Sequence, residues 1–76
     1  MEEFDETLIN IGKNLKAKRK KLMYSQEEVS RRTDIPRIYI SKIENGNLKE
    51  VKFKVLFKLC NFYSVKLSEV LDEINF

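Results

Sequence analysis

The sequence predicts an all-α fold made of five short helices in one domain, residues 1–76. Hydrophobic residues make up 42% of the chain, which is too apolar for a disordered polypeptide. Two Gly and one Pro are too few for the many turns of an all-β domain. Apolar residues also recur at the i, i+3, i+4 spacing of amphipathic helices along most of the chain.

The first helix is predicted by an apolar stripe that consists of Leu8, Ile11, Leu15 and Leu22. The position that would complete this stripe between Leu15 and Leu22 is Arg19, so a charge stands where a leucine is expected. The opposite face of the same helix is rich in lysine and is expected to be solvated.

The second helix is predicted to begin after Ser25, which can cap the amide three residues on while Glu28 reaches back. It must be short, because Ile35 precedes Pro36 and is disfavoured in the α conformation. Asp34 is tolerated in the left-handed turn that would end it.

The third helix is predicted from Pro36 to Asn45, with Gly46 as the left-handed residue beyond its end. Its core stripe is Ile40 and Ile43, and Glu44 shares that side. A second charge therefore stands on a face that should be buried.

The fourth helix is predicted to begin near Lys52 and to run to Tyr63. Val51, Phe53 and Val55 alternate with lysines, which would also suit a strand, but the helical stripe continues as Phe53, Leu56, Leu59, Cys60 and Tyr63. A last short helix is expected over about residues 67–74.

The composition excludes several classes of function. The chain has no histidine and one cysteine, Cys60, so we expect no catalytic residue, no metal site and no cofactor. No apolar run approaches the roughly 18 residues of a membrane span, and the N-terminus is acidic where a signal peptide is basic. We therefore expect a cytoplasmic protein that does not bind membranes.

Charge is distributed unevenly along the chain. Residues 13–66 contain all 15 Lys and Arg and only 5 of the 12 acidic residues, a surplus of +10 between two acidic ends. Such an asymmetry suits a surface that binds a polyanion, although lysine-rich faces often serve solubility alone.

Two short helices joined by a tight turn, the second polar on its outer face, are the layout of a helix-turn-helix, here at about residues 25–45. The segments IGKNLKAKR at 11–19, YSQEEVS at 24–30 and ISKIENG at 40–46 resemble the Cro/cI-type (XRE, lambda repressor-like) helix-turn-helix family. The resemblance extends over about residues 8–73. The recognition segment RIYIS at 37–41 is also similar to that of restriction-modification controller proteins.

This resemblance implies that Arg19 and Glu44 form a buried ion pair, in agreement with the two misplaced charges. It implies contacts to DNA bases and, from the start of the second helix and the loop after the third, to the DNA backbone. The expected base-contacting residues are Arg37, Ile38, Tyr39, Ser41 and Lys42, and the expected backbone-contacting residues are Gln26, Asn45, Asn47 and Lys49. The chain departs from the family pattern at Ser30, Asp34 and Pro36, where alanine, glycine and a capping residue are usual.

We therefore expect a sequence-specific DNA-binding transcriptional regulator, with double-stranded DNA as partner and no small-molecule ligand. The apolar residues near the C-terminus exceed what one small core can cover, which predicts a homodimer on a palindromic operator. The expected dimer interface is Leu67, Val70, Leu71, Ile74 and Phe76. The alternative is a protein-interaction module with the same fold, such as an antitoxin or anti-repressor partner, in which Phe4, Ile74 and Phe76 form the docking surface.

Overall fold

Five α-helices follow one another in a computed structural model, which describes residues 3–71 and the side chains from residue 6 onward. No strand occurs within these residues, and the all-α, five-helix prediction is confirmed. Within the same range, no helix combines the length and the apolar character that crossing a bilayer requires. The helices are α1 (Glu3–Lys21), α2 (Gln26–Thr33), α3 (Arg37–Glu44), α4 (Phe53–Tyr63) and α5 (Leu67–Val70).

The apolar stripe of α1 ends at Leu15, about two helical turns before the Leu22 that the sequence predicts. Leu8, Ile11 and Leu15 are buried, but Leu22 is exposed. The helix stops at Lys21, and Met23 adopts a left-handed φ of +64°, so the chain turns away before Leu22 can reach the core. The prediction that Leu22 belongs to the core stripe is wrong for this reason.

Helix α2 begins and ends as its flanking residues predict. The Ser25 hydroxyl accepts a hydrogen bond from the Glu28 amide at 3.0 Å, and Asp34 ends the helix with a left-handed φ of +61°. The reciprocal half of the predicted cap is not formed. The Glu28 carboxylate is turned instead to Arg32, one helical turn later, at 3.2 Å.

The core is a single cluster to which all five helices contribute. Its tightest point is the crossing of α1 and α3, where a Cβ atom on Gly12 would lie 2.1 Å from the Ile43 carbonyl oxygen. Only glycine allows the two backbones to approach so closely. The largest side chains that are fully buried in the cluster are Leu15, Val29, Ile40, Ile43 and Leu59.

Helix α4 begins at Phe53, as the helical interpretation of residues 51–63 predicts. Leu56, Leu59, Cys60 and Tyr63 are buried, but Phe53 is 60% exposed and does not belong to the buried stripe. Its position on the helix places it beside Phe57, one turn later, on the side that faces solvent.

Helix α5 serves the core of its own protomer. Val70 is 3% exposed, and its carbonyl accepts a hydrogen bond from the Asn14 side chain of α1. Leu67 and Leu71 pack against the same core. Val70 was also expected at a dimer interface, which stays a prediction; in the single chain its side chain is buried in the core. The expected interface residues Ile74 and Phe76 lie outside the described residues.

Arg19 and Glu44 form the buried ion pair that their positions predict. Arg19 Nε lies 2.8 Å from Glu44 Oε2, a second guanidinium nitrogen lies 3.0 Å from Oε1, and the third donates to the Tyr24 carbonyl at 2.9 Å. Both residues are less than 10% exposed. The hydrogen bonds to Glu44 raise the pKa of Arg19, and this outweighs the opposing effect of burial. The pair ties α1 to the end of α3.

Replacing Glu44 with alanine should lower the free energy of unfolding by about 3 to 5 kcal/mol, because it leaves a buried guanidinium without its carboxylate. That is a large share of the roughly 5 to 15 kcal/mol that stabilises a domain. Urea denaturation measures the loss. The matched control is Glu28→Ala, which removes the exposed pair with Arg32 and should cost about 0.3 to 0.5 kcal/mol. Equal urea midpoints for the two variants would contradict a buried pair.

Alkaline pH should destabilise the protein partly through Tyr63. Burial, reinforced by the Glu44 charge, raises the pKa of Tyr63 to about 12, whereas an unfolded tyrosine ionises near pH 10. The stabilisation that the neutral Tyr63 contributes to the folded state is complete below pH of about 10 and is lost as pH rises toward 12. Melting temperatures should therefore fall more steeply above pH of about 10 in the parent than in Tyr63→Phe. The variant contains the same lysines, so their titration contributes equally to both curves. Parallel curves would show that Tyr63 does not titrate in this way.

Candidate nucleic-acid interface

The turn between α2 and α3 is fixed by hydrogen bonds and by one buried side chain. Ser30 donates to the Ile35 carbonyl at 2.6 Å, and the Ile35 amide donates to Thr33 Oγ1 at 3.3 Å. Ile35 itself is 4% exposed and belongs to the core. Ser30 thus contributes a bond that the usual alanine could not make. The orientation of α3 relative to α2 is held from both sides of the turn.

One face of α3 is directed to solvent along its whole length. Arg37, Ile38, Lys42 and Asn45 are exposed, whereas Ile40, Ile43 and Glu44 are buried on the opposite side. Ser41 lies between them and is half-buried, within 3.4 Å of the Asn45 amide nitrogen. We call Arg37, Ile38, Ser41 and Lys42 the outer face of α3. It offers cationic donors, a hydroxyl and an apolar side chain, the groups that read base edges in a major groove.

Tyr39, also predicted to contact bases, lies at the edge of this face. Its side chain is half-buried and packs against the core. It also lines a groove of about 250 Å³ that runs between the start of α3 and α4, with Lys54 and Lys58 on the other side. The ring is therefore partly accessible at the edge of the outer face, where it lines this groove.

Gln26 is held by the buried ion pair. It is the first residue of α2, and its amide nitrogen donates to Glu44 Oε1 at 3.0 Å. This bond fixes the side chain and leaves its amide oxygen and second N–H for other partners. Glu27 and Glu28 occupy the same helical turn, so any anion contact here is confined to Gln26 and the backbone. The sequence did not predict the bond from Gln26 to Glu44.

The loop after α3 starts from a fixed point. Asn45 is the C-cap, and Gly46 adopts a φ of +68° with its Cα packed so closely on Ile9 that a Cβ would lie 2.9 Å from that side chain. The Asn47 amide then donates to the Lys42 carbonyl at 2.9 Å, which directs the loop along the end of α3. Asn47 and Lys49 are both exposed.

The surface around α3 is strongly basic. Beyond the outer face, four further lysines are exposed in the loop and in the first two turns of α4: Lys49, Lys52, Lys54 and Lys58. Glu50 is the acidic residue of that segment. Such a density of cations attracts phosphates regardless of base sequence.

A comparison with protein families agrees with the helix-turn-helix that the structure shows. A family model described as "Helix-turn-helix" matches residues 15–70. The chain is also 33% identical over 73 residues to a glutamine–fructose-6-phosphate aminotransferase [isomerizing] of Methanocaldococcus jannaschii. That match covers 96% of this chain but only 6% of the length of the archaeal protein. No solved structure gives a significant match.

Proposed function

The chain belongs to the helix-turn-helix family, whose members are DNA-binding regulators, and we propose that it is a sequence-specific transcriptional regulator that acts as a homodimer on a palindromic operator. The observation that carries this proposal is the outer face of α3, which is exposed from Arg37 to Lys42 except at the half-buried Ser41, while the opposite face is buried in the core. Repression or autoregulation would follow from occupation of a promoter. This function requires that the protein is located in the cytoplasm, where it can reach the DNA.

Base recognition is assigned to the outer face of α3. Arg37 or Lys42 would donate to guanine O6 and N7 in the major groove, and the exposed Ile38 would contact a thymine methyl group. Ser41 can serve as donor or acceptor. Tyr39 would contact DNA from the edge of the outer face, where its ring lines the groove between α3 and α4.

Backbone contacts are assigned to the two ends of the recognition unit. Gln26 would donate its second N–H to a phosphate while Glu44 holds the first, so its position is set before DNA binds. Asn45, Asn47 and Lys49 would contact phosphates at the other end. These contacts fix the register of α3 without reading sequence.

The aminotransferase match does not alter this proposal. It involves 6% of the archaeal protein, and no enzymatic activity is transferred from so small a share. The interaction-module alternative is favoured by one observation, the exposed phenylalanine pair on α4. Phe4, Ile74 and Phe76, which that alternative first invoked, lie outside the residues whose side chains are described.

Arg37→Ala and Lys42→Ala should each cost about 1 to 3 kcal/mol on the best site, because they remove direct base contacts. Specificity should fall as well. The measurement is binding to a duplex selected from a random library and to a scrambled duplex of the same length. Gln26→Ala and Asn45→Ala should weaken binding to both duplexes by similar factors, and Lys20→Ala on α1 serves as a control of unchanged affinity. If both α3 variants keep the parent's ratio of affinities for the selected and the scrambled duplex, α3 is not the helix that recognises the sequence.

Lys49→Ala should lower the salt dependence of binding. A phosphate-bound lysine releases about one counterion, so the slope of log Kobs against log salt should become shallower by about one unit. Titrations on the selected duplex at several salt concentrations give the slope. Asn45→Ala, which removes no charge, should weaken binding while keeping the parent slope. Identical slopes for the parent and Lys49→Ala would place Lys49 away from the phosphates.

A further inference from the structure

The outward side of α4 carries two large aromatic side chains that the protomer leaves in water. Phe53 and Phe57 are 60% and 55% exposed, and their ring centroids lie 6.1 Å apart. They stand four residues apart, so they form one continuous apolar surface. Adjacent apolar side chains exposed to this extent mark an interaction site more often than isolated ones do. Together with Lys54 and Lys58, we call them the α4 aromatic face.

The charges around this face select its partner. Lys54 and Lys58 are exposed one residue after each phenylalanine, and Lys49 and Lys52 precede them. If two copies joined face to face, these lysines would be brought together, with Glu50 alone in that segment to offset them. Like charges at close range disfavour such a contact. A complementary occupant must carry carboxylates beside apolar side chains.

The chain itself contains such a segment at residues 72–76, Asp-Glu-Ile-Asn-Phe. It combines two carboxylates, which complement the charges of the two lysines, with two large apolar residues, which can pack against the two phenylalanines. Val70, Leu67 and Leu71 serve the protomer's own core. Ile74 and Phe76, which were also expected at a dimer interface, are the two apolar residues of this segment.

We propose that residues 72–76 of one copy bind the α4 aromatic face of a second copy, and that the second copy returns the same contact. Ile74 and Phe76 cover Phe53 and Phe57, while Asp72 and Glu73 face Lys54 and Lys58. Two identical contacts related by a twofold axis close the dimer and prevent open-ended assembly. The inference deepens the proposed homodimer and rests on it.

This contact would also position the recognition helices. Lys54 and Lys58 line the groove whose other wall includes Tyr39 of α3. A partner bound at the α4 aromatic face therefore lies next to the start of α3. Such a contact would hold the recognition helices of the two copies at a fixed distance, as reading two half-sites about 34 Å apart requires.

A charge-exchange experiment tests the contact. One variant carries Lys54→Glu and Lys58→Glu, and the other carries Asp72→Lys and Glu73→Lys. Each variant alone sets like charges against each other at both contacts, and its self-association should weaken about tenfold or more. In an equimolar mixture, each heterodimer has opposite charges at both contacts. Sedimentation velocity should show that the mixture dimerises like the parent, although each variant alone is mainly monomeric.

Two controls keep the result specific. Circular dichroism establishes that each variant is folded, as expected because Lys54 and Lys58 are exposed. Phe53→Ser combined with Phe57→Ser should give a monomer that neither charge variant rescues, because the apolar half of the contact is gone. The parent dimer should weaken as salt rises.

Three results would overturn the inference. They are a parent that stays monomeric at all accessible concentrations, charge variants that dimerise as strongly as the parent, and a mixture that stays monomeric because the segment binds its own copy or nothing. Binding of each protein to the selected duplex is measured in parallel. If a monomeric parent still binds that duplex specifically, the DNA-binding proposal survives and this inference fails. If a dimeric parent does not bind the duplex, the DNA-binding proposal fails and the dimer contact survives.

Discussion

The ion pair between Arg19 and Glu44 is the interaction on which the rest of this structure depends. Glu44 is the last residue of α3, and its two oxygens accept hydrogen bonds from Arg19 of α1 and from Gln26 of α2. Arg19 also holds the Tyr24 carbonyl, just before α2 begins. Three helices therefore meet at one carboxylate. A buried charge tolerates few arrangements, because each donor lost leaves a group that is neither solvated nor paired.

This anchoring separates the residues that hold the fold from those assigned to DNA. The inward side of α3 is fixed by Ile40, Ile43 and Glu44, and α1 approaches it closely at Gly12. The outer face of α3 takes no part in the core, so its side chains can change with little effect on stability. Gln26 belongs to both sets. It is bound to the Glu44 carboxylate and is the first residue of α2, so the phosphate contact proposed for it would couple DNA affinity to stability.

The small size of the domain explains where its remaining apolar surface lies. A chain of this length has few side chains with which to close a core, and α5 contributes Val70 while Leu67 and Leu71 pack beside it. The surplus that the composition indicates is real, but it appears on α4 as Phe53 and Phe57. The number of apolar residues predicts a surplus, but it does not tell which helix carries that surplus. The number alone does not tell which side chains the core uses first.

The sequence by itself determined the five helices and the turn at residues 34–36, because caps and helical periodicity are local signals. The pairing of Arg19 with Glu44, 25 residues apart, was implied by the family resemblance, with which the two misplaced charges agree. It did not determine how far each apolar stripe stays buried. Leu22 and Phe53 continue the spacing of their stripes but are exposed, since burial depends on where the chain turns and on what packs against it. The bond from Gln26 to Glu44 joins residues 18 apart in sequence. Only the tertiary structure could decide it, because the geometry that brings two polar side chains within hydrogen-bonding distance arises from the packing of α2 against α3.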